Sequence, residues 1–124
     1  MTVLFLLAAA IALLLAAAHS YLGERYILIR LLRRSDLPRL FGGIDFTRRT
    51  LRLAWHLTSV AWVGFAGLLA AQALSPAASW RTQGQVISVT FGLSGIVALL
   101  GSRGRHLSWI GFFAVAALVW VALA

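Results

Sequence analysis

Apolar residues gather into four runs along the chain, at about residues 2–22, 51–74, 84–101 and 106–124. Polar positions inside them are isolated and mostly small (Thr, Ser, Gln), with Arg52 and His56 near the start of the second run. None of the runs alternates apolar and polar residues every second position, so membrane strands are excluded. As helices, runs of this length extend roughly 26–36 Å, against a hydrocarbon core of about 30 Å. The pattern predicts an all-α integral membrane protein, a four-helix transmembrane bundle formed by a single polytopic domain over residues 1–124.

Between the first two runs, residues 23–50 follow another pattern. Over Gly23–Arg34, Tyr26, Ile27, Ile29, Leu31 and Leu32 alternate with Arg25, Arg30, Arg33 and Arg34 at roughly helical intervals. This is an amphipathic segment, lying in the interface or continuing the first span through a bend. Asp36-Leu37-Pro38 ends it, because the residue before proline avoids the helical region. Gly42-Gly43 marks a turn, and Asp45 is placed to cap a helix that begins at Phe46 ahead of the second span.

Composition narrows the class further. The chain is 61% hydrophobic and 11% charged, whereas soluble domains run about 45–50% apolar and about 25% charged. A soluble fold is ruled out. The net charge is +8, and every basic residue is arginine. Such a balance in a water-soluble chain points to nucleic acid; in one this apolar, it points to anionic lipid headgroups and to topology. The absence of cysteine removes disulfides and thiolate chemistry, and the absence of lysine removes Schiff bases. Ala16-Ala17-Ala18 before His19 has the look of a signal-peptidase site, but Met1 and Thr2 bring no basic flank, so the first helix is expected to be retained.

The arginines also orient the chain. Arg25, Arg30, Arg33, Arg34, Arg39, Arg48, Arg49 and Arg52 lie between or at the edges of the first two spans, Arg103 and Arg105 between the last two, and Arg81 stands alone in the remaining connection. By the positive-inside rule both odd-numbered connections face the cytoplasm, so both termini are predicted on the periplasmic side of an inner membrane. Tyr21, Tyr26, Trp55 and Trp109 would mark the inner headgroup level, and Trp80 and Trp120 the outer one. Trp62, near mid-span, needs a neighbouring helix.

Candidate chemistry rests on the three histidines. His19, His56 and His106 come from three different spans at a similar depth, with Glu24 close in sequence to the first. Imidazoles with a carboxylate make a candidate site for a metal ion or haem. No pair has local ligand spacing, so the site depends on the three rings converging. Arg30, Arg33, Arg34, Arg39, Arg48 and Arg49 are candidates for lipid headgroups. Ser59, Gly64, Gly67, Ser88, Gly92 and Gly95 are small residues at helical intervals, suited to close helix packing. The central part of every span lacks Asp, Glu, Arg and Lys, which ion-coupled carriers usually keep. No nucleophilic triad or phosphate loop is visible.

The leading expectation is therefore a non-catalytic protein, either a homo-oligomer or an accessory subunit of another membrane protein, with its basic face on anionic lipid and no nucleic-acid partner. The alternatives are a histidine-ligated metal or haem site at the cytoplasmic interface, and a small channel or facilitator formed by an oligomer.

Overall fold

The structure, a computed structural model, describes residues 2–75 and 80–123. Helix α1 is Thr2–Leu31, α-helical to Leu22, π-helical over Gly23–Leu28 and α-helical again over Ile29–Leu31. Helix α2 is Asp45–Leu74, α3 is Trp80–Ser102 and α4 is Ser108–Ala122. The all-α class holds, with no strand among the described residues. The amphipathic segment takes the second of its two predicted forms, continuing the first span through the π turn.

Three of the helices, α1, α2 and α3, are long and apolar enough to cross a membrane. The chain is a membrane protein on that evidence. Helix α4 is equally apolar but has 15 residues, which reach only about 22 Å. It starts at Ser108 rather than at the predicted 106 because His106 belongs to the turn, where its Nδ1 meets Ser108 Oγ at 2.8 Å. Ala124, the predicted end of that span, lies outside the described residues, as do positions 76–79 of the second connection.

Two helices begin earlier than their apolar runs. Hydropathy marks the lipid level, whereas a helix continues past it wherever its polar residues reach water. Arg81, Thr82 and Gln83 are thus helical in α3, and Arg48, Arg49 and Arg52 in α2. Asp45 does not cap α2. The N-cap is Ile44, without a side-chain cap bond. Asp45 instead sits in the first turn, 3.6 Å from Arg48 Nη1, where its charge still favours the positive end of the helix dipole.

Each helix packs on its chain neighbour: α1 on α2, α2 on α3 and α3 on α4. Among the described residues no other pair of helices approaches closely, so the bundle is open between α1 and α4. Burial leans toward small residues, with Leu28, Leu32, Leu53 and Leu123 the larger ones inside. Ala9, Ala16, Ala66, Ala73 and Ala98 are buried, while Leu4, Leu14 and Leu118 are at least 70% exposed. Small residues let backbones meet and large ones face lipid, where burial between helices brings no hydrophobic gain.

The predicted packing residues divide accordingly. A Cβ on Gly64 would lie 2.6 Å from Thr90 and one on Gly95 2.7 Å from Phe113, and Gly67 is 3.1 Å from Val86 by the same measure. Ser88 Oγ donates to the Ala116 carbonyl at 2.8 Å, tying α3 to α4. Ser59 lies buried in the α1–α2 seam. Gly92 is the correction: nothing lies within 4 Å of a Cβ built there, because its side of α3 turns away from both neighbouring helices. Trp62 does meet another helix, its ring 4.9 Å from that of His19.

Two tight turns shape the arginine-rich end. Leu40 and Gly43 exchange backbone bonds of 2.9 and 3.3 Å across Phe41 and Gly42, both at positive φ, and Thr47 Oγ1 ties this loop to α2 through the Pro38 carbonyl at 2.8 Å. At the end of α3, Gly104 N–H donates to Leu99 O at 2.8 Å and Arg103 N–H to Leu100 O at 3.2 Å. This 6→1 and 5→2 pairing closes the helix with Arg103 in the left-handed region, at φ 52°.

Candidate functional site

The α1–α2 seam carries a continuous line of polar side chains. Ser20 and Glu24 are one helical turn apart on α1, with His19 beside them; Arg52, His56 and Ser59 lie along one face of α2. Close approach of the two helices at this level depends on Gly23. Trp55 of α2 fills the space over it: a Cβ there would sit 2.1 Å from Trp55 Nε1. The indole N–H donates to the His19 carbonyl at 2.9 Å, one turn before the π segment. The Trp55 and His19 rings stack, with centroids 4.5 Å apart and planes 6° from parallel. His19 is thereby held between Trp55 and Trp62.

From His19 the contacts run unbroken to the arginine-rich end. His19 Nδ1 is 3.0 Å from Ser59 Oγ, and Ser59 Oγ is 2.8 Å from Ser20 Oγ. Ser20 Oγ is in turn 3.0 Å from His56 Nδ1, and His56 Nε2 is 3.2 Å from Glu24 Oε2. Arg52 closes the line with a two-point grip on Glu24, Nε to Oε2 at 3.2 Å and Nη2 to Oε1 at 3.0 Å. The side chains of Glu24 and His56 are about one-third exposed, whereas Ser59 is buried.

The donor and acceptor count limits this line to two proton arrangements. Glu24, as a carboxylate held by Arg52, only accepts, so His56 Nε2 carries a proton. If His56 is neutral, its Nδ1 accepts from Ser20, Ser20 accepts from Ser59, and Ser59 accepts from an N–H at His19 Nδ1. If His56 is doubly protonated, every bond reverses: Nδ1 donates to Ser20, Ser20 to Ser59, and Ser59 to a bare His19 Nδ1. Each arrangement satisfies all four contacts. A hydroxyl both donates and accepts, so the two serines transmit the choice made at one imidazole to the other.

His106 is not part of this site. Its Nδ1 meets Ser108 Oγ at 2.8 Å and the Ser108 N–H at 3.4 Å, its own N–H donates to Ser102 Oγ at 3.2 Å, and its ring stacks on Phe46 at 6.0 Å. It organises the start of α4. The expected meeting of three imidazoles fails because α1 and α4 do not touch. Of the residues proposed as metal ligands, the structure brings together His19, His56 and Glu24. Among the described residues, no group of three or more His, Asp or Glu side chains is arranged to hold a metal ion. Serine hydroxyls occupy the positions between the rings.

A second feature adjoins the first. Glu24, Ile29, Leu32, Arg33, Arg48 and Arg52 line an open cavity at the arginine-rich end. Three arginines and one carboxylate line it, and Arg52 holds the carboxylate. Arg48 Nε is buried without a hydrogen-bond partner. Of the other candidate headgroup residues, Arg34 is committed to Asp36, its Nε donating to Oδ1 at 2.8 Å. Arg30 and Arg39 are exposed, and Arg49 is half-buried on α2.

Sequence reasoning missed Ser20, Arg52 and Trp55 as parts of the site. The signal was present in the spacing: Ser20 with Glu24, and Arg52 with His56 and Ser59, recur at intervals of one or two helical turns. No protein-family model, curated protein or solved structure matches this chain.

Proposed function

We propose that this protein is a non-catalytic membrane component, a homo-oligomer or an accessory subunit, that seats its arginine-rich face on the anionic lipid of the cytoplasmic leaflet. The observation that carries the reading is the cavity of Arg33, Arg48 and Arg52 beside Glu24. It holds an excess of positive charge at the level where an apolar span passes into an amphipathic one. An anionic phosphate entering it meets arginine side chains, whose guanidinium forks suit phosphate oxygens. The bundle is open between α1 and α4 and its helices expose many large apolar side chains, which supports assembly with a second copy or another membrane protein.

Native mass spectrometry of the protein released from mixed phosphatidylglycerol–phosphatidylcholine nanodiscs tests the lipid reading. The wild type is expected to retain phosphatidylglycerol in preference to phosphatidylcholine. Arg33→Gln with Arg48→Gln should lower that preference by roughly 1 kcal/mol per charge removed. Equal retention of the two lipids by the wild type, or an unaltered preference in the double variant, overturns it.

A further inference from the structure

We propose that His19, Ser59, Ser20, His56 and Glu24 form a proton relay, which loads and unloads His19 from water at the arginine-rich end of the protein. The ligand of this site is the proton itself. The inference stands on the α1–α2 contacts alone and is independent of lipid binding in the neighbouring cavity.

The transfer balances bond by bond. It starts with His19 protonated on both ring nitrogens and His56 neutral. The N–H bond at His19 Nδ1 breaks as a new O–H forms on Ser59, across 3.0 Å. The original hydroxyl proton of Ser59 passes to Ser20 across 2.8 Å, and that of Ser20 passes to His56 Nδ1 across 3.0 Å. Three bonds to hydrogen break and three form, one at each contact. His19 ends neutral with its proton on Nε2, both serines remain hydroxyls, and His56 ends as imidazolium. The positive charge then lies against Glu24, 3.2 Å from His56 Nε2. Rotation of the two hydroxyls resets the line.

The surroundings give the two ends different characters. On the His56 side, the charged groups facing the ring are Glu24 from α1 and, through Glu24, Arg52 from α2. Arg33 and Arg48 border the same open cavity, through which water reaches the carboxylate. The His19 side is apolar and aromatic: Leu15, Leu22, Trp55 and Trp62 border the cavity beside it, with Tyr26 its one titratable neighbour among the lining residues. A histidine in that setting has no charged group to exchange protons with directly, so a hydroxyl line to the wet end is its route. Here every donor and acceptor from His19 to Glu24 is matched in either direction, which is the condition for conducting a proton.

The test is histidine ¹⁵N NMR of the full chain in lipid nanodiscs, recorded across the histidine titration range. At high pH His19 is expected as the Nδ1–H tautomer and His56 as the Nε2–H tautomer. As His56 gains its second proton, neutral His19 should pass to the Nε2–H tautomer at the same pH. Ser20→Ala should abolish this linkage, so that the His19 tautomer no longer follows His56, and Ser20→Thr should restore it. His106, outside the line, serves as the internal control for folding and should give the same signals in all three proteins. His19 found as Nε2–H while His56 is neutral overturns the relay, and so does a His19 tautomer that still follows His56 in Ser20→Ala. Should Ser20→Ala alter the His106 signals, Ser59→Ala gives the same comparison from the other hydroxyl.

Discussion

Trp55 lies directly over Gly23, so close that a Cβ at position 23 would fall 2.1 Å from the indole nitrogen. The contact unites three features of the α1–α2 seam. The indole donates to the His19 carbonyl, stacks on the His19 ring, and marks the residue at which α1 changes from α to π geometry. A π turn inserts one residue into the helical register and re-aims the side chains beyond it. Here it comes after His19 and Ser20 and carries Glu24, which faces His56 and Arg52 on α2.

Gly23→Ala is therefore expected to be destabilising out of proportion to one methyl group. The ring cannot keep its place, and overpacking of this kind costs about 1–3 kcal/mol. Loss of the indole hydrogen bond adds about 1 kcal/mol. Thermal unfolding in detergent micelles reads the loss, and Trp55→Phe should show the loss of the hydrogen bond together with part of the indole packing. A Gly23→Ala protein as stable as the wild type would contradict the contact.

At the other end of the chain, Arg103 occupies the left-handed region at φ 52° while closing α3. An L residue there carries strain of roughly 1–2 kcal/mol, which glycine does not. Glycine also gains unfolded-state entropy, which offsets part of that. Arg103→Gly is thus expected to raise stability by about 0.5–1 kcal/mol, measured by denaturant or thermal unfolding. Gly104→Ala, at φ 74°, should move it the opposite way.

Outside the spans, Arg34 holds Asp36 well below the ordinary carboxylate range, at about 2 against 3.8, through a side-chain hydrogen bond and their charges. The folded pKa is the lower one, so the pair's contribution is present above the unfolded value and is lost as pH falls through about 2. The Asp36 carboxyl carbon should show an NMR titration midpoint near 2 in the wild type. In Arg34→Gln the midpoint should return toward the ordinary value. Because the pair is fully exposed, global stability should change little.

Much of the helical content could be read from hydropathy, because lipid demands long apolar runs and satisfied backbones. The arrangement within the seam was harder to read. Depth along a helix comes directly from residue number, and depth put His19, His56 and His106 at one level. Which helices touch is not set by depth, and only chain neighbours touch among the described residues. His106 was placed wrongly for that reason. The π turn was hidden for a related one: it coincides with a fit between Gly23 and a tryptophan on another helix. Gly64 and Gly95 were easier, since small residues at helical spacing have one common use in lipid. Gly92 shares that spacing, yet its side of α3 is open.

Orientation supplies the last prediction. Ten of the eleven arginines lie in or beside the two odd-numbered connections, and Arg81 is the exception. Arg81 is also engaged: it donates to the Leu123 carbonyl, at the negative end of the α4 dipole, and lies over the Trp80 ring at 5.6 Å. Its structural use gives it a reason to be there that is separate from topology. By the positive-inside rule, the bias of the other ten predicts that their face stays in the cytoplasm. A reporter inserted at Gly43, in the tight turn before α2, is expected to register the cytoplasm. One fused after Ser75, at the end of α2, should register the opposite side. Replacing Arg30, Arg33, Arg34 and Arg39 with Gln should then produce molecules of mixed orientation, because the odd and even connections differ less. A reporter at Gly43 that reads the outer side would reverse the orientation of the whole chain, and with it the leaflet proposed to bind the arginine cavity.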